Sequence, residues 1–185
     1  MTATVASLPS TLLNIALFQL GWFCCVLGAA HGMAWLGPVV SSAIALFYLW
    51  RDSDWSREAR MLIGIVLMGT ALDSVLISAG LIQFQGAIWP SPWAPLWISA
   101  LWLVFGVTLT RSMSWIQSHP IWAVLLGAVG GPLAYGGGAA LGAAEFLGPK
   151  GAAIAALSLV WGGAMLGLTF FSAWARPRAG GRAAA

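Results

Sequence analysis

One acidic residue stands deep inside an apolar run. Asp73 is thirteenth in the segment Met61–Ile82, close to the middle of a membrane-crossing helix. An ionised carboxylate there costs several kcal/mol unless paired or hydrated, so such residues face a bundle interior. No Lys, Arg or His lies at its depth, and desolvation favours a carboxyl that keeps its proton. The chemistry open to Asp73 is that of a proton carrier, a general base or a ligand anchor. The plainer role is a protonated carboxyl hydrogen-bonded to another helix, with Gln19 or a backbone carbonyl as the expected partner.

Gln19 sits near the middle of the run Thr11–Ala30, with Asn14 five residues before it. That spacing offsets the two by about 140°, so they share no narrow stripe. Interhelical hydrogen bonds of this kind contribute about 0.6 kcal/mol each. Trp22, three residues beyond Gln19, is a candidate pocket wall. A third feature is the run GAVGGPLAYGGGAALGAAEF, residues 127–146. Pro132 removes a backbone donor among close glycines, which predicts a kinked or broken helix. Such a helix either lines a cavity with exposed backbone or packs closely through small residues. Gly131, Pro132 and Tyr135 are the ligand-binding candidates within it, and Gly136 is a further position where bulk should fill a pocket.

Other chemistry is excluded by spacing. His31 and His119 fall at opposite ends of the bundle, and no His/Cys/carboxylate cluster exists, so neither a metal nor a haem is expected. No His reaches the depth of Asp73, as a Ser–His–Asp site requires. The glycine run is not followed by Lys and Ser/Thr, so it is no phosphate loop. Cys24 and Cys25 are adjacent and read as packing residues. Glu145 and Lys150 read as a solvated pair. No cofactor is expected and no catalytic set is assigned.

The elements that position these residues follow from composition. Of 185 residues, 60% are hydrophobic and 7% charged, against roughly 25% charged in a soluble domain. Mean hydropathy is +0.89. These values exclude a soluble cytosolic enzyme, a nucleic-acid binder and a disordered chain. Six apolar segments approach the roughly 20 residues needed for a span: Thr11–Ala30, Met33–Trp50, Met61–Ile82, Trp93–Thr110, Pro120–Ala140 and Gly151–Trp174. Lipid forbids unsatisfied backbone, so the fold class is all-α, a polytopic bundle of six transmembrane helices.

Charge sets the expected orientation. Seven of the eight basic residues are Arg, at 51, 57, 60, 111, 176, 178 and 182; Lys150 alone lies in the opposite loops. The positive-inside rule then places both termini in the cytoplasm. Residues 1–175 form one six-helix domain, and 176–185 are expected to be a disordered cytoplasmic tail. No basic residue precedes Arg51, so the first segment lacks the basic region of a cleaved leader and is expected to stay. Of the twelve tryptophans, Trp50, Trp55, Trp115, Trp122 and Trp174 fall near one interface and Trp35, Trp89, Trp93 and Trp97 near the other, as an aromatic belt. Trp22, Trp102 and Trp161 lie deeper. The first, third and fifth spans carry nearly all the buried polarity and are expected to form the interior, with the even spans facing lipid. A pocket is expected between the odd spans, from the midplane toward the outer leaflet.

The order NIALFQLGWFCCVLGA (14–29), GTALDSVL around Asp73, PWAPLW (92–97) and GGPLAYxxGxxLGA (130–143) resembles an uncharacterised bacterial inner-membrane family, the domain-of-unknown-function family numbered 2878. The resemblance covers roughly residues 11–172. It implies a small multi-pass inner-membrane protein, and a gene neighbourhood of methyltransferases similar to cyclopropane-fatty-acid synthases that points toward lipid modification. No site residue carries over from it. Three functions are weighed. The first is binding, or assisting modification of, a membrane lipid or other apolar ligand within the bundle. The second is a small proton-coupled transporter using Asp73. The third is a non-catalytic subunit of a membrane complex, with a membrane-protein partner or a homodimer. No nucleic acid is expected as a partner.

Overall fold

A computed structural model describes residues 8–174, with side chains through Phe171; the expected cytoplasmic tail lies outside the described residues. Six α-helices run in order: α1 Leu8–Ala30, α2 Leu36–Trp50, α3 Trp55–Ser78, α4 Leu96–Thr110, α5 Pro120–Ala140 and α6 Lys150–Trp174. Four of them, α1, α3, α5 and α6, are long and apolar enough to cross a membrane. α2 and α4 have 15 residues each, or about 22 Å at 1.5 Å per residue, shorter than a hydrocarbon core of about 30 Å.

Local chemistry accounts for the shifted boundaries. α3 starts six residues before the expected Met61, because the Asp54 carboxylate caps it and accepts from the Arg57 backbone N–H at 3.3 Å. It stops at Ser78, four residues before the expected Ile82. Gly80 follows with φ +65°, the left-handed conformation that closes a helix and that glycine adopts without a Cβ clash.

The helical bundle is as expected, with one short addition at one end. Ile82, expected to end the third span, and residues expected to be loops form a two-stranded antiparallel ribbon, β1 Ile82–Phe84 and β2 Ala144–Phe146, with Gln83 opposite Glu145. Ile82 and Phe84 are buried and Gln83 is exposed, the alternation a half-buried strand requires. The ribbon joins loops 83–95 and 141–150. At the other end, the Arg111 guanidinium meets the Asp52 carboxylate at 2.5 Å, and the Thr110 hydroxyl donates to Glu58 at 2.5 Å. Those contacts join the α2–α3 connection and the first turn of α3 to the end of α4.

The packing order also differs from expectation. α4 packs against α1, α2 and α3, while α5 pairs with α6. Trp97, Ile98, Trp102, Val104 and Val107 of α4 are buried. In contrast, α1 exposes Leu12, Leu13, Ile15 and Leu20, and α5 exposes Ile121, Trp122, Leu125 and Val129. Of the odd spans, α1 and α5 are therefore not the interior, whereas α3 buries Leu62, Ile65, Asp73 and Leu76. The reason is that lipid tails are as apolar as Leu, so polarity does not rank helices by burial in such a bundle. Polar groups act instead as local joins: Ser112 donates to the buried Asn14 carbonyl at 2.6 Å, and the Thr70 and Ser99 hydroxyls pair across α3 and α4 at 2.8 Å.

Candidate functional site

Gly69 and Asp73 lie four residues apart on α3, hence on one face. Both address the same side chain on α4. A Cβ on Gly69 would fall inside the Trp102 indole, so the absent side chain is what lets the ring approach. Asp73, 1% exposed, accepts from the Trp102 indole N–H through Oδ2 at 2.7 Å. Its other oxygen accepts from the Tyr135 hydroxyl of α5. The carboxyl thus ties three helices together, and its partners are an indole and a phenol, not the expected Gln19.

The Trp102 ring stacks on Trp161 of α6, with centroids 4.6 Å apart and an interplanar angle of 10°. Phe105 meets both rings edge-on at 5.7 and 5.6 Å, and Tyr135 meets Trp161 edge-on at 6.0 Å. These are the favoured aromatic geometries. Gly127 and Gly131 of α5 form a G-x-x-x-G pair on the face toward α6. A Cβ on Gly127 would collide with the Trp161 carbonyl oxygen, and one on Gly131 with the Trp161 ring. This is close packing through small residues.

Beside the cluster lies a cavity of about 460 Å³, within the range of small-molecule sites. Gln19, Trp22, Asp73, Gly131 and Tyr135 line it. Pro132 does not, and α5 runs on through it as one helix, so of the expected kink or break the break is absent. Gly136 is also outside the lining, with open space around it. The expectation that bulk at Gly131 or Gly136 would fill the pocket is corrected on both counts. Gly130 is a lining position with room for bulk: a Cβ there meets nothing within 4 Å.

The walls come from more helices than the odd ones. α4 supplies Trp97, Trp102 and Phe105, α6 supplies Trp161, and Phe84 of the ribbon closes one end. Trp97, expected as an interface anchor, faces the cavity and donates its N–H to the Gln85 carbonyl at 2.8 Å. Trp102 and Trp161 are legible as deep tryptophans; nothing in the sequence pairs them with each other or with Asp73.

The lining along α5 spans Leu126 to Gly138, about 18 Å of helix. It extends toward Met113 at one end and toward Phe84 of the ribbon at the other. Gln19, Leu126, Gly130 and Leu133 belong both to the lining and to the exposed surface, so the cavity opens sideways between α1 and α5. Trp22 reaches across that opening to within 3.4 Å of where a Gly137 Cβ would stand.

No curated protein and no solved structure matches the chain. A family model does, over residues 11–167, and its description is protein of unknown function (DUF2878). The chain belongs to that family.

Proposed function

We propose that this member of the family is a multi-pass protein of the bacterial inner membrane that takes up an apolar, lipid-like ligand from the bilayer. The observation that carries this reading is the sideways opening. The cavity between α1 and α5 is lined by Trp22, Phe105, Leu126 and Leu133 and meets the surface where lipid would lie. A ligand entering there never crosses water. Membership of the family and four long apolar helices support the membrane setting.

In this reading the chain crosses six times, with both termini inside. The two ends of the bundle support it: Arg111 joins the α2–α3 connection and the first turn of α3 to the end of α4, and the ribbon joins loops 83–95 and 141–150, as alternate crossings require. α2 and α4 would span with help from their flanking interfacial tryptophans. Reporter fusions after Ala59 and after Trp93 should report opposite sides of the membrane. A same-side result overturns the span count.

The proton-coupled alternative draws less support, because both Asp73 oxygens already accept from aromatic donors. The ligand reading is tested by mass spectrometry of the detergent-extracted protein. One dominant apolar species is expected, reduced at least tenfold in Gly130→Leu while that variant stays monodisperse. Equal, mixed lipid profiles in both would reject it. A stoichiometric second protein in place of a lipid would favour an accessory subunit.

A further inference from the structure

We infer that the ligand is a long apolar chain carrying an uncharged hydrogen-bonding group, which the Gln19 carboxamide receives at the mouth of the cavity. The inference rests on the lipid reading above and narrows its chemistry.

Charge is the first constraint. No Lys, Arg or His contributes to the lining. Arg51 and Arg111 lie just beyond the ends of α2 and α4, and Arg57 and Arg60 in the first two turns of α3. A phosphate or carboxylate drawn into the cavity would meet no cation, and the ionisable group nearest to it would be the Asp73 carboxyl. Burying an unpaired anion beside an acid is strongly unfavourable. The charged head of a membrane lipid must therefore stay outside.

Gln19 is the second constraint. It lines the cavity, lies mid-helix on α1 and is exposed at the opening. Asp73, Ser112 and the α3–α4 hydroxyls all have partners. Gln19 makes no hydrogen bond among the described residues. An amide in lipid with two donors and an acceptor unused is costly, and Gln19 stands at the opening, beside whatever fills it. The remaining lining is aromatic or aliphatic, over about 18 Å of α5. Together these fit a chain with one neutral polar group: a hydroxyl, carbonyl or amide. That group belongs either to the head of a neutral lipid or to the interior of a phospholipid acyl chain.

The test uses the purified full chain in detergent, with quenching of tryptophan fluorescence as readout, since Trp22, Trp97, Trp102 and Trp161 all line the cavity. Three probes share one chain: octadecenol, octadecene and oleate at pH 8. Octadecenol should bind about three- to fifteenfold tighter than octadecene, the range that one hydrogen bond in a membrane supplies, and oleate should bind more weakly than octadecenol. Gln19→Leu should erase the difference between alcohol and hydrocarbon while leaving octadecene binding intact. A phosphatidylcholine with a mid-chain hydroxyl distinguishes the sources: preference for it over the unmodified lipid assigns the polar group to an acyl chain, and preference for free alcohol alone assigns it to a head. Binding of octadecene with no alcohol preference, or tightest binding of oleate, overturns the inference but leaves the apolar site standing. Failure of every probe to bind overturns both. An unchanged alcohol preference in Gln19→Leu, with a dimer lost, assigns Gln19 to a second helix and overturns the inference.

Discussion

Asp73→Leu should destabilise the bundle severely, whereas Asp73→Asn should nearly restore it. The leucine removes the acceptor that two donors share: the Trp102 indole N–H and the Tyr135 hydroxyl. Each unsatisfied buried donor costs about 1–3 kcal/mol, and the two groups come from α4 and α5, so both sides of the cavity lose their tie. Asparagine has the same shape. Its carbonyl oxygen can accept from Trp102, and its amide N–H can donate to the Tyr135 oxygen, because a phenol both donates and accepts. Thermal unfolding of the detergent-solubilised variants, followed by tryptophan fluorescence, checks this. The leucine variant should melt well below the parent and the asparagine variant within about 1 kcal/mol of it, roughly 2–4 °C at this chain length. Equal melting of all three would show that the carboxyl ties nothing together. An asparagine variant that folds like the parent but fails to retain ligand would move Asp73 from positioning to binding.

That pair of substitutions also shows what the sequence carries and what it leaves open. The depth of Asp73 is legible because a carboxyl within 22 apolar residues (61–82) has one place to go. Its partners are not, because an indole and a phenol look like packing residues until the helices are placed. Gln19 was the obvious polar neighbour and proves to face the opening instead. The helices themselves follow from hydropathy, yet their order of burial does not: α4 owes its central place to Trp97, Ile98, Trp102 and Val104, residues as much at home in lipid as in a core. The ribbon escapes notice for another reason. Three-residue strands such as Ile82–Phe84 are too short for periodicity to register, and their pairing partners lie about sixty residues away.

The second large effect concerns glycines that look interchangeable and are not. The stacked indoles of Trp102 and Trp161 are held between two of them, Gly69 on the α3 side and Gly131 on the α5 side. A methyl group at either place would occupy ring space, and neither ring can retreat without displacing the other. Gly69→Ala and Gly131→Ala should each lower stability by about 1–3 kcal/mol, the usual cost of overpacking a fitted core. Gly130, next to Gly131, and Gly136, five residues further on, have no neighbour within 4 Å of a Cβ placed there. Alanine there should be neutral or slightly stabilising, by up to about 1 kcal/mol of helix propensity. The double variant Gly69→Ala/Gly131→Ala makes the sharpest demand. If the two glycines serve one stacked pair, the first methyl group already dislodges it, and the second should cost less than it does alone. Melting midpoints of the four single variants and the double, measured in one detergent, give the coupling directly. Strict additivity, or melting of Gly130→Ala as low as that of Gly131→Ala, would mean that the indole stack is not what these glycines accommodate.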